Sequence, residues 1–376
     1  MRVIIMGAGL VGSPMAIDLV QDKNFEVTAV DIEEKPLQNL SKNYNINTIK
    51  KDLSYASNLR ELLHDYDLVI NAVPGFMGFK TLKAIIEAGK DVVDIAFFPE
   101  DPFQLDKLAK ENEVTAIVDC GVAPGMSNIL VGHEYNHLEQ VDSAVIYVGG
   151  LPQERELPFE YKAVFSPIDV IEEYLREARY IKNGELVTKQ ALSEPEIINF
   201  PEVGSLEAFN TDGLRTLAET LPIPNMKEKT LRYAGHIDKI RLLREMGLLS
   251  KNEIEVNGKN VRPLDVTTSL LFPQWQLKKD DKDITIMRII IKGMAGKRKK
   301  QITYNLIDKY DEKTGIHSMA RTTGYTATMC ARLIAEKLFH KPGINAPEAV
   351  SADSECVEFI LAGLEKRGVF YKRKVK

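Results

Sequence analysis

Near its start the chain carries a short unbroken apolar run, Val3–Met6, after which apolar residues recur at helical spacing through Met15, Ala16, Leu19 and Val20. An unbroken run predicts a strand covered on both faces, and the 3.6-residue recurrence predicts a helix with one buried side. The pattern then repeats. Further strands are predicted over 26–31, near 46–49, and over 67–75, 91–97 and 114–121, with helical segments between them. Strand-helix alternation over about 120 residues builds a doubly wound parallel sheet.

Beyond Asn128 the alternation loosens. The spacing predicts a helix through about Glu139, strands over 142–150 and 161–165, and a helix over 166–179. ITIMRIIIKG and KKQITYNLI, separated by MAGKR, predict a long antiparallel hairpin. A late segment, 315–339, has helical periodicity through Ala327, Cys330, Ala331, Ile334, Ala335 and Leu338. The expected architecture is α/β: a nucleotide-binding domain over 1–121, an α+β substrate domain over 122–316, and a helical segment over 317–376 that returns to the first domain.

Between the first strand and helix lies Gly7-Ala8-Gly9-Leu10-Val11-Gly12, the GxGxxG pattern in the context it requires. Gly7 suits a tight turn, Gly9 close backbone approach to a pyrophosphate, and Gly12 close helix-strand packing, with the helix N-terminus favouring the anion. The next strand ends in Asp31-Ile32, about 20 residues on, where an acid meets the ribose hydroxyls of a Rossmann cofactor. Glu33 and Glu34 follow with no arginine nearby, which favours NAD over NADP. Ligands of such sheets gather at the carboxyl ends of the strands, which places Asn71, Ala72, Val73, Pro74, Asp94 and Ile95 beside the cofactor and Asp119 at the same edge.

The 376 residues, 44% hydrophobic and 27% charged, suffice for two cores. A net charge of -5 gives no global footprint for nucleic acid. GKRKKQ reads as a hairpin tip and the basic C-terminus as a solvated tail. No stretch approaches the roughly 18 apolar residues of a membrane span, and no signal-peptide cleavage pattern follows the first apolar run. Three widely spaced cysteines suit a reducing compartment, so a cytoplasmic protein is expected. The expected partner is a small amino-acid substrate, with homo-oligomers formed and no nucleic acid or membrane bound.

HEYNH, His133–His137, matches the HExxH zinc pattern, but a Rossmann domain is poor context for it and no metal is expected. In TLRYAGHIDK, Arg232 is a candidate for holding a carboxylate, and His236 and Tyr233 for proton transfer. EAFNTDGLRTL contributes Arg215, and RTTGYTA, with Thr323, places hydroxyls and a glycine inside a helix, pointing to close packing or a ligand. DCGVAPGMSN is both the exit from the first domain and a turn that aims Asn128 towards the cleft.

GAGLVG, INAVPG, DCGVAPGMSN, EAFNTDGLRTL, TLRYAGH and RTTGYTA, in this order along almost the whole chain, resemble the saccharopine dehydrogenase family, and within it the lysine 6-dehydrogenase branch. The resemblance implies a Rossmann domain carrying NAD(P), a discontinuous substrate domain and a late helix returning to the first. It further implies NAD-dependent oxidation at the ε-carbon of L-lysine with release of ammonia and cyclisation of the aldehyde. Under it, Arg215 or Arg232 would hold the α-carboxylate, Asp94 or Asp119 an ammonium, and His236 or Tyr233 would pass the proton and activate water. Asn128 and Thr323 would touch substrate. Ala123 stands where saccharopine-forming members tend to carry an acid. A saccharopine- or carboxynorspermidine-type reductase and a non-catalytic NAD-binding regulator remain open alternatives.

Overall fold

The computed structural model describes residues 1–55, 59–278 and 281–376. The alternating pattern folds into seven parallel strands in the spatial order Gly343–Asn345, Thr115–Ile117, Asp91–Asp94, Leu68–Asn71, Arg2–Met6, Glu26–Asp31, Asn47–Lys50. Val3 through Met6 have no exposed surface, as a strand covered on both faces requires. The chain winds outward from Arg2–Met6 in one direction and then, from Leu68–Asn71, in the other. Their carboxyl ends therefore flank the crevice where such sheets bind ligands.

The second sheet has nine strands among the described residues and is mixed. Its main path runs Glu196–Phe200, Gly204–Asn210, Asn225–Tyr233, Gln140–Pro152, Asp283–Ala295, Arg298–Lys309, Lys372–Val375. Asn225–Tyr233 lies parallel to Gln140–Pro152, whereas the predicted hairpin pairs antiparallel from Ile284↔Lys309 to Ala295↔Arg298. The doubly wound sheet with a second α+β domain is thus the fold expected from the pattern.

Local expectations differ in three places. Tyr161–Phe165 makes one isolated bridge, Ala163 to Gln276, instead of a strand; its apolar side chains fill a core around Trp275. The helix expected over 166–179 ends at Leu175, because Arg176 turns extended (ψ 142°) and Ala178–Lys182 joins the sheet. The basic C-terminus is not a free tail: Lys372–Val375 pairs with Arg298–Lys309 as an edge strand. The C-terminal segment also supplies Gly343–Asn345 to the first sheet, a strand too short for period-two alternation to betray it.

The helix Ser318–Ala335 does return to the nucleotide domain, packing on Gly12–Val20. A Cβ at Gly324 would stand 2.9 Å from Met15 Cγ, so glycine sets the closeness of the crossing. Buried Asp18 fastens it, accepting from Thr328 Oγ1 (2.6 Å), Arg332 Nη1 (2.8 Å) and Arg367 Nε (2.5 Å). Both domains meet across this helix and enclose one cleft.

Candidate active site

A cleft of about 700 Å³ runs from the glycine turn, along the carboxyl edge of the parallel sheet, to the second sheet. At its first end, Gly7 adopts φ +108°, and a Cβ there would lie 2.6 Å from Ala72 O. A Cβ on Gly12 would lie 1.9 Å from Gly7 O, whereas at Gly9 the space is open. Open space over a backbone that leads into a nine-residue helix is the cradle a pyrophosphate needs. Asp31 braces the turn, accepting from Ala8 N (2.6 Å) and Glu33 N (2.8 Å), and its carboxylate borders the cleft. Leu10, Val11 and Ile32 flank it; Leu10 and Ile32 are exposed apolar side chains of the kind a bound ring covers. Ala72, Val73, Pro74 and Ile95 line the floor. These residues fit a dinucleotide.

Asn71 and Asp94 lie beneath that floor. Asn71 Nδ2 donates to Asp94 (2.7 Å), Ala96 N does the same (2.7 Å), and burial pushes the Asp94 carboxyl up to about 8. Asp94 therefore ties two loops together and does not reach the cleft.

The DCGVAPGMSN turn forms the cleft's middle. Gly125 takes φ +128° and comes so near Gly121 that a Cβ would sit 2.0 Å from its carbonyl oxygen. Gly121 N donates to Pro124 O (3.0 Å), which presents Val122, Ala123 and Pro124 to the cleft, opposite Thr323 of the returning helix. Asn128 turns away: its amide donates to Glu348 (3.1 Å) and Thr216 (3.4 Å). Cys120 is buried, its thiol pushed up by neighbouring Cys330 and by burial, so it offers no nucleophile.

Asp119 and Arg215 were separate candidates for a substrate ammonium and carboxylate, but they find each other. Arg215 Nε and Nη2 donate to Asp119 at 3.1 and 3.2 Å, and the guanidinium lies 4.9 Å over the Phe97 ring. Asp119 touches the cleft only as half of this pair; Arg215 does not line it.

At the far end, strand Asn225–Tyr233 sends alternate side chains to opposite faces. Glu228, Thr230 and Arg232 share the cleft face; Tyr233 points the other way, donates to Pro152 O (2.8 Å) and stays outside the cleft. Arg232 Nη2 donates to Glu173 (2.9 Å), Nε donates to Tyr174 Oη (3.0 Å), and the guanidinium stacks 4.6 Å from the Tyr161 ring. His236 lies behind Tyr174, its Nε2 3.0 Å from that hydroxyl and its Nδ1 3.0 Å from Phe159 O. Desolvation and then the Arg232 charge lower its pKa to about 3. His236 is a neutral imidazole that props Arg232 through Tyr174, not a proton carrier in the cleft.

Sequence reasoning missed Glu173, Glu228, Thr211, Asp169 and Arg176. Glu228 is pushed up to about 8, first by burial, against the Thr211 hydrogen bond and with the charges of Glu173 and Asp212. Glu173 is likewise raised by burial despite Arg232. Arg176, one residue past its helix, stacks on Phe97 and has a buried Nη1 with no partner among the described residues. Asp169, on the same helix, reaches across to Gly75 of the nucleotide domain, where a Cβ would meet its carboxylate at 3.0 Å. The period-two spacing of Glu228, Thr230 and Arg232 was the available signal; Glu173 and Arg176 had none.

The zinc-like motif has a structural explanation. Glu134 accepts from Arg373 Nε (2.8 Å) and Nη2 (3.2 Å) and from the Tyr304 hydroxyl, tying the edge strand to the helix Met126–His137. Among the described residues no group of three His, Cys, Asp or Glu side chains is placed to hold a metal. No helix of the described residues is long and apolar enough to cross a membrane.

Residues 3–117 match the saccharopine dehydrogenase NADP binding domain and residues 121–369 the saccharopine dehydrogenase C-terminal domain. Mouse mitochondrial α-aminoadipic semialdehyde synthase is 27% identical over 70% of this chain, which spans only 30% of that protein's length. Carboxyaminopropylagmatine dehydrogenase of Synechocystis is 23% identical over 94% of this chain and 93% of its own. The solved structure of apo saccharopine dehydrogenase (L-Glu forming) from Saccharomyces cerevisiae superposes with TM-score 0.81 at 20% identity, covering 100% of this chain and 99% of the yeast one. That likeness confirms the fold. The two domain matches together span nearly the whole chain, which therefore belongs to the saccharopine dehydrogenase family.

Proposed function

We propose that the protein oxidises the ε-carbon of L-lysine with NAD, releasing ammonia, as a lysine 6-dehydrogenase does. One observation carries this reading. The cleft beside the glycine turn is lined by Arg176, whose buried Nη1 has no partner among the described residues, and by an acidic cluster built on half-buried Glu173 and buried Glu228. A zwitterion with a second amine at a distance matches that charge pattern. Saccharopine, with three carboxylates, matches it poorly, because the cleft's two arginines face more acids than themselves and Arg232 is already held by Glu173. Ala123 removes one further polar contact at the turn.

The nicotinamide, when bound, supplies the hydride acceptor. The chain's residues do the rest. Arg176 holds the α-carboxylate with a charge-assisted bond. The acidic cluster attracts the ε-ammonium, and the apolar walls at Phe97 and Phe165 lower its pKa from about 10.4 by desolvation. Asp31, with Glu33 and Glu34 beyond it, favours a ribose bearing free hydroxyls over a 2′-phosphate, hence NAD.

The test is an anaerobic screen of amines with NAD and NADP, following cofactor reduction and ammonia release together. Lysine with NAD should yield both in equal amounts. A second reading, oxidative cleavage of an N-carboxyalkylated polyamine, draws on the same acid-rich cleft and on the near full-length likeness to carboxyaminopropylagmatine dehydrogenase. It predicts cofactor reduction without ammonia.

A further inference from the structure

The far wall of the cleft holds two carboxylates, buried Glu228 and half-buried Glu173, with two threonine hydroxyls between them. Thr211 Oγ1 donates to Glu228 Oε2 (2.5 Å) and lies 2.8 Å from Thr230 Oγ1, whose single proton can go either to Thr211 or to Glu173 Oε1 (3.3 Å). Arg232 closes the row on the Glu173 side. Gly213 leaves the room: a Cβ there would stand 2.3 Å from the Glu228 carboxyl. Among the described residues Glu228 is the member that pairs with no cation, since Arg232 is taken by Glu173 and Arg179 by Asp212.

We propose that Glu228 is the catalytic base that takes the proton from the substrate ammonium, with Thr211 and Thr230 as a hydroxyl bridge positioning it against Glu173. The proposal rests on the amine-oxidising reading above. In the step, one N–H bond of the ammonium breaks, its electron pair stays on nitrogen, and the proton moves to a Glu228 carboxylate oxygen. The neutral amine can then lose hydride from its adjacent carbon to the nicotinamide, which supplies the oxidant.

The groups facing Glu228 set the direction of its titration. Glu173 and Asp212 are like charges that raise it; the Thr211 hydrogen bond and the Arg232 charge lower it. The base must be ionised to act, so kcat/KM should rise with pH through a limb near 8.

The experiment measures kcat/KM against pH for whichever amine the screen returns, in wild type and in Glu228→Gln, Thr211→Val and Glu173→Gln. Glu228→Gln should lose about 100-fold or more and lack the limb. Thr211→Val should move the limb to higher pH and Glu173→Gln to lower pH, opposite shifts that a merely structural role would not produce. NAD binding by fluorescence should match wild type in all three, and thermal melting should match it in Glu228→Gln and Thr211→Val, which separates loss of the base from loss of fold; Glu173→Gln, which leaves Arg232 without its carboxylate, should melt lower and is read by its limb. An active wild type whose Glu228→Gln variant keeps both rate and limb overturns the assignment of the base alone. A wild type that oxidises no amine overturns the function itself and the base with it.

Discussion

The two ends of the cleft are built by different means. At the dinucleotide end the chain works through backbone: three glycines, one helix N-terminus and a single acid that braces the turn. At the substrate end it works through buried charge, drawn from a helix end, a loop and a strand that are far apart in sequence. Backbone recognition needs space and tolerates few substitutions. Buried charge needs every partner in place, since a carboxylate left without its cation must carry its desolvation unaided.

The largest expected effect follows from that difference. Arg232→Ala leaves Glu173 beside Glu228 without its hydrogen-bonded cation and with only the Arg176 charge in its place, and should cost about 3 kcal/mol of stability by urea denaturation, at the low end because Glu173 borders the open cleft. Arg232→Met with Glu173→Gln removes both charges and should recover most of the loss. If the double variant is no more stable than Arg232→Ala, buried charge is not what holds this end together.

Gly12→Ala probes the other end. Its Cβ would sit inside the contact distance of Gly7 O, and overpacking of this kind costs about 1–3 kcal/mol. NAD affinity should weaken about tenfold or more, read by fluorescence titration, because about 1.4 kcal/mol is tenfold in binding. Arg232→Ala should leave that affinity unchanged. Were the two variants to affect NAD alike, the division of labour between the ends would fail.

How much of this was legible in the sequence follows the same division. The glycine turn is six consecutive residues whose spacing encodes their roles, and Asp31 closes the next strand, so the dinucleotide end could be read from local order. Asp119 and Arg215 were legible as charges but not as a pair, because nothing local relates positions 96 residues apart. His236 and Tyr233 were drawn into the site by adjacency to Arg232, yet a strand sends neighbours to opposite faces, and His236 starts a helix behind the wall. Glu228 was concealed in KEKTLRY, where alternate positions carry the information and the flanking lysines suggest a solvated face.

A smaller effect tests Asp31. Replacing it with serine and Ile32 with arginine exchanges a carboxylate for a cation where a 2′-phosphate would lie. The ratio of kcat/KM for NADP over NAD should rise about tenfold, or about 1.4 kcal/mol. An unchanged ratio would mean that cofactor choice is set elsewhere in the cleft, with Asp52 and Ser54 the nearest candidates.

The finest test concerns His236, whose neutrality separates a prop from a proton carrier. Its pKa falls from 6.5 to about 3 on folding, by desolvation and the Arg232 charge. Below 6.5 the unfolded chain binds a proton that the folded chain refuses, so the unfolded state gains with acidity. Stability should therefore fall as pH drops from about 6.5 towards 3, by about 1.4 kcal/mol per pH unit for this one group. His236→Gln cannot bind that proton in either state, so urea denaturation across this range should show a slope shallower by that amount. Its kcat/KM should fall through the loosened Arg232, while the limb set by Glu228 persists, shifted at most to higher pH as the Arg232 charge draws back. A limb that vanished in His236→Gln would return the histidine to the chemistry and make the wall behind Arg232 part of the site.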